Sequence, residues 1–263
     1  MTTRSAPPEG PPILRLSGVR RAFGADLAVD GLNLTVHAGE VHAVVGLNGA
    51  GKSTLMRLAL GMLRPDGGTV ALRLRGAGSD VAAWRAPAGV WSQVGHLVEA
   101  PFAYPELTVI EMVHAAARLR GLSSQDALPA AQRVVTALEL DRWAGRSTST
   151  LSMGNRQRLG LACAAVHRPR LLVLDEPATA LDPAGVLLVR TWLLQARDSG
   201  TGVLVSSHHL DEVARMADRI TVIHRGRAIG ALPPRGVDLE QQFFTMVYDA
   251  DATGPAHDGG GSA

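Results

Sequence analysis

Lysine is almost absent from this chain: its 263 residues include 26 Lys plus Arg, and Lys52 is the only lysine among them. Cysteine is equally scarce, with Cys163 alone, so an intramolecular disulfide is excluded. In its Ala/Leu-rich surroundings that thiol reads as a small core residue. Aromatic residues make up 4%, which suits a core built on Ala, Val and Leu. Long apolar runs are missing too. The most apolar helical stretch, residues 55–63, contains Arg57 and falls well short of the roughly 20 residues that a membrane-spanning helix needs. No basic block accompanies the formal charge of +2, so the charge pattern does not point to nucleic acid. Residues 1–12 are rich in Pro, Thr and Gly without the apolar centre of a secretory signal. They read as a disordered leader, and a cytoplasmic location is the default.

What is present gathers around the lone lysine. Gly46-Leu47-Asn48-Gly49-Ala50-Gly51-Lys52-Ser53-Thr54 fits the phosphate-binding pattern G-x-x-x-x-G-K-[ST]. Residues 41–45 are short, apolar and β-branched, as a buried strand is, and residues 53–63 have helical spacing, so strand, glycine loop and helix follow in order. Gly46, Gly49 and Gly51 permit backbone conformations in which successive N–H groups turn toward an anion, and the helix N-terminus adds partial positive charge. An ammonium on a flexible stem suits the crowded loop better than a planar guanidinium does. Ser53 offers a hydroxyl to Mg²⁺.

Further strands are expected at 13–16, 32–36, 69–74 and 90–94. Three Ala/Leu/Arg-rich helical segments follow at 107–122, 125–140 and 152–167, with the look of an insertion. Strands at 171–174, 203–206 and 220–223 then alternate with helices at 183–198 and 210–217, implying parallel βαβ units. A short amphipathic segment at 238–248 precedes a Gly/Ala/Asp-rich stretch, 249–263, that reads as disordered. Leu171-Leu172-Val173-Leu174-Asp175-Glu176-Pro177 places two acids at the carboxyl end of a strand, the edge at which ligands bind in α/β sheets. Asp175 is a Mg²⁺ ligand candidate, and Glu176 is a candidate to orient or deprotonate an attacking water.

Leu151-Ser152-Met153-Gly154-Asn155-Arg156-Gln157-Arg158 opens a helix with Ser152 as a good N-cap. This string resembles the signature motif of the ATP-binding cassette (ABC) family, commonly L-S-G-G-Q, and precedes the acidic strand as it does there. The resemblance covers about residues 13–230. It implies an α/β fold: a P-loop NTPase (RecA-like) core with an antiparallel β subdomain and an inserted α-helical subdomain at about 100–168, followed by a C-terminal helix and tail in 231–263. It also implies that Phe23 stacks on adenine. Gly46, Asn48, Gly49, Ala50, Gly51, Lys52, Ser53 and Thr54 would hold the phosphates of ATP. Asp182 would lie in the D-loop, and His208, in Ser206-Ser207-His208-His209, would contact the γ-phosphate. Ser152 and Gly154 would act on the ATP of a second nucleotide-binding subunit, making a head-to-tail dimer, most simply a homodimer, a requirement. Catalysis would thus rest on Glu176, His208 and Lys52, with ATP and Mg²⁺ as cofactors.

Two positions depart from the pattern. Glu99 stands where most cassettes carry glutamine, a candidate Mg²⁺ ligand that adds negative charge beside Asp175 and Glu176; Gln93 lies six residues earlier and is the weaker candidate. Met153 replaces a signature glycine. Glu99 with the following Pro101, Phe102, Tyr104 and Pro105 is similar to exporter cassettes of the multidrug, bacitracin and lantibiotic type. The implied function is the ATPase subunit of an exporter, peripheral at the inner face of the membrane through a separate permease. A soluble, non-transport ABC ATPase is the alternative. A P-loop kinase or GTPase is opposed by the signature and histidine segments. Lys52→Arg should fail to bind ATP tightly, although arginine serves everywhere else in the chain; a nucleotide-binding titration against the wild type checks this.

Overall fold

The computed structural model describes residues 10–75 and 80–253. Most of the expected leader and the end of the expected disordered tail lie outside these residues. Along the chain run β1 (Pro12–Phe23), β2 (Asp26–His37), β3 (Val41–Val45), α1 (Lys52–Ala59), β4 (Gly67–Leu72), β5 (Val81–Ala82), α2 (Ala88–Trp91) and β6 (Val94–Leu97). Then come α3 (Val109–Leu119), α4 (Ser124–Ala137), α5 (Met153–Ala165), β7 (Leu171–Asp175), α6 (Pro183–Asp198) and β8 (Gly202–Ser207). The described part ends with α7 (Leu210–Ala214), β9 (Arg219–His224), β10 (Arg227–Leu232) and α8 (Leu239–Thr253).

Two sheets form the frame. The larger has the order β10-β9-β3-β8-β7-β6, parallel except for β10, which pairs antiparallel with β9. The smaller is antiparallel, with the order β2-β1-β4-β5. Because β3, β7 and β8 are covered on both faces, they are mainly aliphatic, with His42 the polar residue inside β3 and Asp175, Ser206 and Ser207 at the carboxyl ends of β7 and β8. Period-two alternation divides their side chains between two cores. Val41, Ala43 and Val45 of β3, Leu172 and Leu174 of β7, and Val203 and Val205 of β8 join the core beneath α3, α4 and α5. Val44, Leu171, Val173 and Leu204 face the other way, toward α1 and the antiparallel sheet. His42 on β3 is fully buried, with Nδ1 at 2.9 Å from the Thr35 carbonyl oxygen and Nε2 at 2.8 Å from Thr221 Oγ1. Burial first, then the Arg219 charge, lowers its pKa to about 3, so the ring stays neutral.

Local signals set the helix starts. Thr108 and Glu111 form a reciprocal capping box on α3. Ser152 caps α5, and Asp182 caps α6 by accepting from the Gly185 N–H at 2.8 Å, with Pro183 in the first turn. The half-buried Cys163 on α5 packs against the larger core, where burial pushes its thiol up to about 12 and keeps it unreactive.

The structure corrects several expectations. The strand expected at 90–94 is α2 followed by β6, so Gln93 lies between them and not within a strand. β1 starts at Pro12, inside the expected leader. The helix at 53–63 stops at Ala59, because Gly61 at φ +63° turns the chain. The stretch from 249 is helical as far as Thr253: Asp251 of α8 bonds His224 at 2.8 Å and Arg225 at 2.9 Å, contacts between residues remote in sequence. β5 and β10 had no clear signal. Among the described residues no helix is long and apolar enough to cross a membrane.

The fit of α5 on β6 depends on Gly95, where a Cβ would stand 2.0 Å from the Ala164 carbonyl oxygen. Gly95→Ala is expected to destabilise the fold by about 1–3 kcal/mol, as overpacking does, read as a lowered denaturation midpoint in urea.

Candidate functional site

The parallel sheet assembles the site. β3, β7 and β8 are adjacent and in register, Val45 opposite Ser207 and Asp175 opposite Ser206, so three strands end at one edge and their loops converge there. The loop after β3 is held by close packing. A Cβ at Gly46 would stand 2.3 Å from the Ile223 carbonyl oxygen, and one at Gly51 would stand 2.2 Å from that of Ala28. Gly51 also has φ +101° as the N-cap of α1, a conformation that a side chain would strain. The Gly226 N–H donates to the Ala50 carbonyl at 2.9 Å, tying the loop to the β9–β10 turn.

Lys52 is 7% exposed. Its Nζ donates to the carbonyls of Gly46 at 2.7 Å and Leu47 at 3.3 Å and lies 3.8 Å from Glu176 Oε1. Ser53 and Thr54 follow in the first turn of α1, with Ser53 exposed. On the facing strands the Ser206 hydroxyl donates to Asp175 Oδ1 and accepts from the Glu176 N–H at 3.0 Å. The other carboxylate oxygen of Glu176 meets His208 Nδ1 at 2.7 Å. Lys52, Asp175, Glu176 and His208 thus form one connected cluster. Ser206 is the member to which sequence reasoning gave no role; a hydroxyl opposite the last acid of the neighbouring strand was the available signal.

The remaining candidates sit around this cluster. Asn48 and Gly49 are exposed at the tip of the loop, and Ala50 is buried. Phe23 is 45% exposed, with the Arg21 guanidinium 4.9 Å from its ring centre, so it is a surface ring and not a core one. Ser152 is exposed at the start of α5. Gly154 lies against the segment after β7: a Cβ there would stand 3.0 Å from the Ala180 carbonyl oxygen. Glu99 adopts φ +81° and pairs with Arg57 of α1, at 2.8 Å from Nη2 and 3.1 Å from Nε. Gln93 is occupied by backbone, accepting from the Arg75 N–H at 3.0 Å and donating to its carbonyl at 2.9 Å.

This arrangement suits a polyphosphate. A buried ammonium, a glycine loop closed to any Cβ at two points and a helix N-terminus supply positive potential at one place. Among the described residues no group of three or more His, Cys, Asp and Glu could hold a metal by itself. The donor set of Ser53 and Asp175 fits a hard cation that keeps water and takes part of its coordination from phosphate.

Comparison with known proteins agrees with this geometry. A family model described as ABC transporter matches residues 29–179. The bacitracin transport ATP-binding protein BcrA of Enterococcus faecalis is 34% identical over 218 residues, covering 82% of this chain and 68% of that protein. The Nod factor export ATP-binding protein I of Burkholderia lata is 36% identical over 238 residues, covering 90% of this chain and 76% of that protein. Among solved structures, an ATP-binding subunit of an ABC transporter superposes with a TM-score of 0.76 at 26% identity, covering 89% of this chain and 94% of that one.

Removing the Ser206 hydroxyl frees the Glu176 N–H and deprives Asp175 of a donor. Ser206→Ala is expected to lower ATP turnover roughly 10- to 100-fold, the worth of a hydrogen bond to a charged group, in a protein that melts near the wild-type temperature. A steady-state ATPase assay checks this.

Proposed function

This chain belongs to the ABC transporter family, and from that premise we propose that it is the ATP-hydrolysing subunit of an exporter, driving a separate membrane-embedded permease. The bracketing of the Glu176 carboxylate carries the mechanistic reading: His208 Nδ1 stands at 2.7 Å from one oxygen and Lys52 Nζ at 3.8 Å from the other. A carboxylate held between two nitrogen groups at a phosphate loop is placed to act on a water that attacks phosphorus.

The roles follow from chemistry. The loop amides of 46–51 and the Lys52 ammonium bind the phosphate oxygens. Ser53 and Asp175 would hold Mg²⁺, which when bound neutralises charge developing on the phosphates. Glu176 orients the attacking water and accepts its proton. His208 holds the Glu176 carboxylate at 2.7 Å and, as the family resemblance implies, would contact the terminal phosphate. Glu99 is a secondary candidate for the cation, since Arg57 already engages its carboxylate. Phe23, an exposed ring, would stack on the base, and Asp182 would hold the D-loop turn through its cap on α6. Ser152 and Gly154, at an exposed helix start, would complete the site of a second copy.

Export is favoured over a soluble, non-transport ATPase by the relatives named for bacitracin transport and Nod factor export. The permease would meet Phe102 and Tyr104, which are 69% and 53% exposed with their rings edge to face at 4.9 Å, an apolar contact of the helix-in-groove kind. Through it the chain would sit at the inner face of the membrane.

Glu176→Gln is expected to bind ATP and dimerise yet lose roughly 100-fold or more of its turnover, the range of a removed general base. Equilibrium ATP binding, size-exclusion chromatography with ATP and an ATPase assay measure the three properties. Near-normal turnover would move the role to Glu99 or His208.

A further inference from the structure

Glu176 sits at φ +50°, in the left-handed region that residues with a Cβ rarely adopt. Such a conformation persists only where its surroundings over-determine it. Two groups grip the backbone here. Ser206 Oγ accepts from the Glu176 N–H at 3.0 Å on one side. On the other, the Gln157 side-chain amide donates to the Pro177 carbonyl at 3.1 Å and the Glu176 carbonyl at 3.4 Å. Gln157 is 8% exposed, so its amide has little water to turn to and these carbonyls are its partners.

Gln157 lies on α5, in the second turn after the Ser152 cap. The same helix start meets the 176–181 segment again where Gly154 abuts the Ala180 carbonyl. The opening of α5 is therefore joined twice to the segment that carries Glu176, and a shift of this helix moves the Glu176 peptide with it. We propose that Gln157 is a positioning residue for Glu176: it holds the strained peptide so that its carboxylate points at the water, and it ties that aim to the placement of Ser152 and Gly154. This rests on the reading of Glu176 given above. In a head-to-tail dimer, where Ser152 and Gly154 address the partner's ATP, Gln157 would make hydrolysis in one site depend on nucleotide in the other.

Gln157→Met keeps the length of the side chain and removes the donor. It is expected to lower kcat about tenfold or more, as a misaimed catalytic group does, with KM for ATP changed less than about threefold and ATP-dependent dimerisation retained. Gln157→Glu supplies an independent readout, because its carboxylate repels the two carbonyls while its protonated form donates to them again. Its turnover relative to wild type should rise as pH falls from 8 to 6. Wild-type turnover in folded Gln157→Met overturns the proposal, as does loss of ATP binding or dimerisation in parallel with turnover. Should Gln157→Met not fold, a pH-independent ratio for Gln157→Glu overturns it. Full activity of Gln157→Met beside an inactive Glu176→Gln sinks this inference alone, whereas an active Glu176→Gln sinks the reading beneath it.

Discussion

A single ammonium held almost out of water sets the terms for everything around it. Lys52 is 7% exposed, and a buried charge is tolerated only where hydrogen bonds and an opposite charge compensate its desolvation. The carbonyls of Gly46 and Leu47 and the Glu176 carboxylate supply that compensation. Each must come from a different place: the carbonyls from a loop that folds back beside the lysine, the carboxylate from the end of a strand two positions across the sheet. The parallel sheet meets this demand because β3, β8 and β7 run side by side and stop at the same edge.

Close approach of backbone explains where several glycines fall. Gly46 and Gly51 bring the loop within contact of Ile223 and Ala28, and Gly95 brings β6 against α5. Gly160 on α5 likewise leaves room for Pro101 and Leu97, where a Cβ would meet them at 2.7 and 3.0 Å. Close packing then transmits position. The signature turn, the segment after β7 and the end of β8 are linked through Gly154 against Ala180, Gln157 on the Glu176 and Pro177 carbonyls, and Ser206 on Asp175. Helix placement and carboxylate aim are therefore not independent variables in this fold. By contrast the exposed Arg57–Glu99 pair, with side chains 36% and 64% accessible, contributes little stability and is free to be exchanged for another contact.

Much of this was legible in order of appearance. The lysine, its glycines, the two acids after an aliphatic run and the histidine after a serine pair stand in short strings whose chemistry is local, and the helix cap at Ser152 works within a few residues. What was not legible joins distant parts. Residues 90–94, with Val90, Trp91 and Val94, carry β-forming side chains, yet α2 ends at Trp91 and β6 starts only at Val94. The final helix extends past its amphipathic stretch because Asp251 finds His224 and Arg225. Glu99 is a metal-ligand candidate from its place in the string, whereas Arg57, on another element, engages its carboxylate.

The sequence by itself determined the chemistry: a lone lysine in a glycine loop, acids at a strand end and a capped signature helix specify residue types at spacings of a few positions, and hydrogen bonds over that range need no tertiary partner. Tertiary structure alone decided which groups share atoms. Ser206 between Asp175 and Glu176, Gln157 beneath a left-handed Glu176, and His208 on its carboxylate depend on strand order and register. Those are fixed by which apolar faces the sheet buries and not by any local string.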